Sequence, residues 1–451
     1  MTKGRTYFKA ALELICLALI FSFVLCILPL SAEETDKAPA GNTVDVIKLV
    51  NNVERGSRIG EEDYEIVKVK NVNLPSNIIS DPELVKYMYA REELFAGEYV
   101  SKDQISESKV SKVNSDLLLK PISKSDSKYV VVTDYVAPNT GDDISHYLQE
   151  IIDNNPRKTI FFPDGVYTIS YPLNMSAKGT TSVCLNLSDG AVIKAHQDWR
   201  GKSRGDGNDA LIGMGGNDSH TNDIQSIGSY YCIMGGTLDA NSRANGINIE
   251  GGRESLVRNV CIKNAKTGIL IKDGVNNSSS DCDFEDITII GNGLTTEKGI
   301  DIDACDNTLT NIRIYNVNLG VHCKRGGNLL KNIYAINTMD RLKTKGTNGF
   351  ICTADNWISQ CYSQNFANAF TVHTRGIIAD CTAVWTEGFC ETQVAFYAAK
   401  DKIVFSGCRA DFGPSGKTFV FKKGNAIVEC PVVDTSVNAE GLENVKVTPL
   451  S

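Results

Sequence analysis

Apolar and polar positions alternate in six short segments of this chain that share one spelling. They are Gly246-Ile247-Asn248-Ile249-Glu250, Gly268-Ile269-Leu270-Ile271-Lys272, Gly299-Ile300-Asp301-Ile302-Asp303, Gly320-Val321-His322-Cys323-Lys324, Gly349-Phe350-Ile351-Cys352-Thr353 and Ala369-Phe370-Thr371-Val372-His373. Their first residues stand 22, 31, 21, 29 and 20 positions apart, a loose period that predicts one strand per repeating coil. In a strand the side chains alternate between faces, so positions two and four point into a core while three and five point out. Stacked coils then carry two outward columns: Asn248, Leu270, Asp301, His322, Ile351, Thr371 and Glu250, Lys272, Asp303, Lys324, Thr353, His373.

Upstream the pattern changes. Val130 to Tyr135 reads as a strand, Ile144 to Asp153 as an amphipathic helix with Ile144, Leu148, Ile151 and Ile152 on one face, and Thr159 to Phe162 as a second strand running into Pro163-Asp164-Gly165-Val166-Tyr167. Further on stand Leu187 to Lys194 and Gly235-Gly236-Thr237-Leu238-Asp239-Ala240-Asn241. This succession resembles the opening of the pectate lyase superfamily, in its rhamnogalacturonase and epimerase-like group. The resemblance covers about 300 residues. It implies an all-β right-handed parallel β-helix over 129–432, its first coil sealed by the helix, with a tail at 433–451. Asn264, Asn292, Asn316 and Asn337 each follow a strand and are expected to form an asparagine ladder at a turn, since Asn tolerates left-handed backbone.

Residues 43–105 follow another rule. Gly56-Ser57-Arg58-Ile59-Gly60-Glu61-Glu62 and Gly97-Glu98-Tyr99-Val100-Ser101-Lys102-Asp103 both read Gly-x-x-[Ile/Val]-x-x-acid, 41 residues apart. This resembles the SAF fold, a small β-clip found in antifreeze-like domains and in pilus and flagellar assembly proteins, and implies a surface-binding or assembly role for this segment. Residues 106–128 alternate Ser, Lys and Asp and are expected to be a connector. Residues 1–32 open with Lys3, Arg5 and Lys9, then run apolar from Ala10 to Leu30, which reads either as a cleaved export signal or as a retained membrane anchor. Both readings place the rest of the chain outside the cytoplasm, secreted or at the cell surface.

Charge and cysteine content narrow the chemistry. A net charge of −8 in 451 residues leaves no basic footprint for nucleic acid. The 14 cysteines show no Cys-x-x-Cys pair, so no metal site is expected; Cys323 and Cys352 fall on inward positions, and Cys361, Cys381, Cys408 and Cys430 each close an apolar run. A ladder of free thiols filling the core is the preferred reading over disulfides.

Candidate chemistry lies on the outward columns. Asp301 and Asp303 sit two residues apart on one strand, roughly 6.8 Å between α-carbons, close to the roughly 6.5–9.5 Å carboxylate separation of inverting glycosidases. The catalytic candidates are therefore Asp301, Asp303, His322 and Lys324. One aspartate would serve as acid and the other as base, or, in a lyase, the carboxylates would bind Ca²⁺ while Lys324 or Arg325 abstracts a proton. Glu250, Lys272, Arg325, His373 and Arg375 are candidate substrate contacts, with Trp357, Trp385 and Tyr362 as stacking platforms for sugar rings. The competing reading is a solvated ladder of alternating charges with no catalytic role. The Asn-Thr-Asp, Asp-Asp, Gly-His-Gly and Arg-Ile-Lys motifs of polygalacturonases are not present in order, and no lyase set of calcium aspartates stands here, so neither mechanism is carried over. The expected function is polysaccharide binding with cleavage. The alternative is a non-catalytic glycan-binding or surface-assembly protein.

Overall fold

The computed structural model describes residues 43–448 apart from 55, 71–77, 87, 91–93, 107–116, 176–182, 202–208, 216–229, 275–277, 344–345, 391–392, 400–402, 412–416, 422–425, 430–438 and 441–444. The apolar leader lies outside the described residues. Among the described residues no helix is long and apolar enough to cross a membrane. The chain divides into two compact units between Lys112 and Val113.

In the first unit Thr43–Leu49 pairs antiparallel with Tyr64–Lys70, and Tyr89–Ala90 with Ile105–Ser106. The two glycine turns occupy equivalent places. Gly56 and Gly97 both take positive φ, at 73° and 95°, where any other residue would be strained. Ile59 and Val100, three residues on, are both buried in a core with Ile47, Leu49, Ile79, Val85 and Leu94. Each turn ends in one turn of 3-10 helix, Glu61–Asp63 and Lys102–Gln104, closed by a side chain reaching back: Asp63 accepts from the Gly60 N–H and Gln104 from the Ser101 N–H.

The second unit is a right-handed parallel β-helix with three faces. Face A is an eleven-stranded parallel sheet holding all six repeats, from Leu173–Asn174 through Asn245–Glu250, Thr267–Lys272, Lys298–Asp303, Leu319–Cys323, Asn348–Cys352 and Asn368–Val372 to Ala439–Glu440. Its register is the one the spacing predicts: Asn248, Leu270, Asp301, His322, Ile351 and Thr371 pair in sequence, as do Glu250, Lys272 and Asp303. Face B includes Cys184–Leu187, Cys232–Met234, Leu256–Arg258, Asp283–Glu285 and Asn356–Ser359. Face C includes Gly165–Ile169, Ala191–Ala195, Thr237–Asp239, Cys261–Lys263, Thr288–Ile290 and Tyr362–Gln364. The two meet at a tight corner where one residue per coil is left-handed: Asn259, Asp286, Asn311, Asn332, Gln360 and Asp380, with φ of 53–58°. Asn and Asp tolerate that geometry, which is why they recur there.

The repeat begins with Gly for a steric reason. A Cβ built on Gly268 would lie 2.5 Å from the carbonyl oxygen of Gly299, and the same obstruction meets Gly246, Gly299, Gly320 and Gly349. Successive backbones approach too closely there for any side chain. Inside, Phe350, Phe370 and Phe396 stack at 4.8 and 5.3 Å between ring centroids, nearly parallel. The helix, Ser145–Asn154, buries Tyr147, Leu148, Ile151 and Ile152. Its Gln149 side chain bonds both the N–H and the C=O of Asn174, at 2.8 and 2.9 Å, and so covers the open edge of face A.

At both ends the β-helix runs further than 129–432. Leu118 bridges to Val136, the Leu119 N–H donates to the Tyr135 carbonyl, and Leu117, Leu118 and Ile122 pack on the core, so residues 117–122, read from sequence as connector, belong to this unit. Within the segment read as a tail, Ala439–Glu440 and Val445–Thr448 pair with Lys417–Phe421 and Ala426–Glu429 as one more coil.

All eleven cysteines among the described residues are free thiols. Cys323 stacks on Cys352, and Cys361, Cys381 and Cys408 stand at successive corners, each thiol directed at the carbonyl two residues earlier, 3.2–3.5 Å away. Cys430 lies outside the described residues.

Asparagines form two ladders. In the expected one Asn316 and Asn337 are buried: Asn316 is left-handed and Asn337 exchanges bonds with Val317 at 3.0 and 3.1 Å. Asn264 is left-handed but bonds Asp239, while Asn292 pins its own loop, so neither joins the ladder. The second ladder, Asn307–Asn328–Asn356, was not anticipated. Each backbone N–H of Asn307 and Asn328 donates to the next asparagine's Oδ1 at 3.1 Å.

Candidate functional site

Face A carries the four candidate residues Asp301, Asp303, His322 and Lys324 side by side, and their electrostatics differ from expectation. Asp301 was expected to face solvent. It is 4% exposed, because three side chains close over it: Lys298 Nζ at 2.6 Å, Lys324 Nζ at 3.2 Å and His322 Nδ1 at 3.2 Å. Burial alone would raise its pKa, but His322, the Lys298 hydrogen bond and the charges of Lys298 and Lys324 overcome that and hold the carboxyl far below the usual carboxylate range. The His322 contact is short yet poorly aligned, so Asp301 Oδ1 and His322 Nδ1 are both buried without a well-formed hydrogen bond.

Asp303 remains open, bonded to Arg325 Nε at 3.2 Å and with Lys324 at 3.9 Å. Arg325 reaches on to Asp273 at 2.8 Å. Lys272 pairs with Glu250 at 2.9 Å. The charges thus form an alternating chain down the face, in which each Lys and Arg of the columns has a carboxylate partner. Of the candidate contacts, Glu250, Lys272 and Arg325 join this row. Arg375 lies further along the stack, held loosely by Asp355 at 3.6 Å, and His373 stands beside the Tyr397 ring, 6.5 Å between centroids.

The two tryptophans do not belong here. Trp385 is buried, its Nε1 donating to the Phe366 carbonyl at 2.6 Å, so it is a core residue. Trp357 is exposed, but it stands on face B, in register with Leu329 and Ile377. Strand alternation explains the error: the motifs fixed faces only within face A.

The sequence reading missed Lys298 and Asp273, which precede and follow the five-residue spelling. It named Tyr362 but missed its partners in a stack on face C, where the Arg313 guanidinium lies 3.8 Å over the Tyr334 ring and Tyr334 stacks on Tyr362 at 5.2 Å. The signal was available, since Arg313, Tyr334 and Tyr362 hold the same place in three consecutive coils.

Long coils wall one rim of face A. The coil ending at Lys298 carries loop 291–297 and the one ending at Asn348 carries loop 337–347. The Asn292 side chain donates to Ser242 at 2.9 Å, Gly293 lies so close to Arg341 that a Cβ would fall 2.9 Å from its Nε, and Lys343 stands 5.9 Å over the Phe389 ring. Loops of alternate coils therefore touch one another along the edge at which the face A strands begin. A separate cleft of about 530 Å³, lined by Asn139, Thr168, Lys194, His196 and Asn241 among others, lies near the first coils. Among the described residues no three His, Cys, Asp or Glu side chains are grouped to hold a metal ion, and the carboxylates proposed for Ca²⁺ are instead bonded to Lys298, Lys324 and Arg325.

No protein-family profile matches the sequence, and no curated protein sequence matches it. Among solved structures the chain is similar to a polygalacturonase from Erwinia carotovora, at 14% identity over 73% of this chain and 98% of that one, TM-score 0.46. It is also similar to an alginate lyase from Paenibacillus, at 15% identity over 70% and 99%, TM-score 0.45. A third is the tailspike of E. coli bacteriophage HK620, solved with a hexasaccharide, at 11% identity over 71% and 65%, TM-score 0.49. All are right-handed parallel β-helices, the fold this chain has.

Proposed function

We propose that the β-helix unit binds an extended polysaccharide along face A and does not cleave it, in an exported protein held at the cell surface. The observation behind this reading is the row of charged side chains on four successive coils, Glu250, Lys272, Asp303 and Lys324, beside loops that touch one another along the edge of face A. Such a row offers donors and acceptors at a spacing of about 4.8 Å, suited to a polymer rich in hydroxyls. The cations of the row are already paired, which favours a neutral or weakly charged glycan over a strongly acidic one.

Hydrolysis by Asp301 and Asp303 has poor support. A general acid must carry its proton at working pH, and Asp301 is held ionised far below it. The same cations make it a weak base. Lys324, the lyase candidate, is engaged by two carboxylates. In this reading the first unit, with its paired glycine turns, is the SAF-like module that attaches the protein to a surface or assembly.

The test is affinity electrophoresis of the full chain through a panel of neutral and uronic polysaccharides. One class should retard the protein, and Asp303→Ala and Arg325→Ala together should weaken that retardation about tenfold, the scale of losing one or two hydrogen bonds to a ligand. Absence of retardation by every polysaccharide would overturn the proposal.

A further inference from the structure

We infer that Cys184 and Cys232 form a redox-modifiable dithiol on the outer surface of face B. Cys184 begins the strand Cys184–Leu187 and Cys232 the strand Cys232–Met234, and the two are register partners on adjacent parallel coils. Adjacent strands place paired α-carbons about 4.8 Å apart, inside the roughly 4.4–6.8 Å range that a disulfide spans. Both residues are half-buried and face outward, whereas the other stacked pairs, Cys323 with Cys352 and Cys361 with Cys381, are buried. Cys261 and Cys305 are also half-buried, but Cys261 has only Thr237 and Thr288 as register partners.

The two thiols are unequal. The hydrogen bond from Cys184 lowers the pKa of Cys232, with help from the Arg258 charge and against burial, while the same hydrogen bond and burial raise that of Cys184. Cys232 is therefore the thiolate that attacks and Cys184 the thiol that resolves. With a low-molecular-weight disulfide as oxidant, the Cys232 thiolate forms a mixed disulfide and expels one thiolate. Cys184 then loses its proton, attacks the Cys232 sulfur and expels the second. The protein dithiol is oxidised by two electrons and the small disulfide is reduced to two thiols.

The experiment treats the folded full chain with excess oxidised glutathione, followed by alkylation and peptide mapping. The expected product is a Cys184–Cys232 cross-link, reversible by dithiothreitol, that raises Tm by several degrees because it closes a long loop. Cys184→Ser should instead trap a stable glutathione adduct on Cys232, and Cys232→Ser should slow modification of Cys184 more than tenfold. The inference is overturned if Cys184 and Cys232 stay reduced, or carry separate adducts without cross-linking, under conditions in which Cys261 and Cys305 are modified. A Cys184→Ser variant with no adduct on Cys232 would overturn the assigned order of attack.

Discussion

Asp301 was legible as a candidate and illegible as a buried one. Alternation along the strand fixed the side of the sheet it faces, but not that Lys298, Lys324 and His322 would converge on it from its own coil and the next. Removing its charge leaves the Lys298 and Lys324 ammonium groups facing each other without their carboxylate, so Asp301→Asn should destabilise the β-helix by about 1–3 kcal/mol, measured by urea unfolding at pH 7. Both lysines are partly exposed and water offsets part of the loss. Because the folded carboxyl has a depressed pKa, its contribution is present above the unfolded pKa of about 3.9 and is lost as pH falls below that value toward the folded one. The Asn variant should accordingly lose less stability than the parent between pH 5 and pH 3. Parallel pH profiles for the two proteins would contradict this account of the cluster.

Strands and turns were legible to different degrees. The face A register followed directly from the Gly-led spelling, because a slip of one residue would have put isoleucines in water. The Asn307–Asn328–Asn356 ladder escaped notice because Asn307 and Asn328 each precede a strand by one residue and Asn356 opens one, and a single Asn there resembles an ordinary turn residue. Asn328 is its centre: its amide donates to Asn356 Oδ1 and to the carbonyls of Ala304 and Arg325 at 3.0–3.1 Å, and its Oδ1 accepts from the Asn307 backbone and side chain. Asn328→Ala should cost about 3 kcal/mol, since several buried groups lose their partners together. Cys361→Ala or Cys381→Ala removes only a small buried sulfur and should cost about 1 kcal/mol. Denaturant titrations of the three variants give the comparison, and equal losses would mean that the corner is held by packing alone. Thiol titration of the unfolded, non-reduced protein should find most cysteines free.

At the scale of the whole chain the two units have separate cores, and the glycine-turn repeat of the first and the coil repeat of the second were both readable as changes of pattern. Their exact ends were not, because Leu117, Leu118 and Ile122 sit in a Ser- and Lys-rich stretch whose few apolar residues signal packing only once the core beside them is seen. A chain beginning at residue 113 should fold alone. One beginning at residue 127 should be less stable by about 2–4 kcal/mol, the scale of losing the three partly buried side chains of Leu117, Leu118 and Ile122 and a strand-edge hydrogen bond. Circular dichroism melts of both would show it, and equal midpoints would place the unit's start after residue 122.

Binding without cleavage is the claim on which the functional account rests, and it is tested by incubating the full chain with whichever polysaccharide retards it while assaying new reducing ends and unsaturated uronates together. The account predicts neither product after prolonged incubation, with binding retained in a stably folded Asp301→Asn variant. Steady release of either product, cut about a hundredfold by Asp301→Asn or Asp303→Asn, would show that the row is an active site.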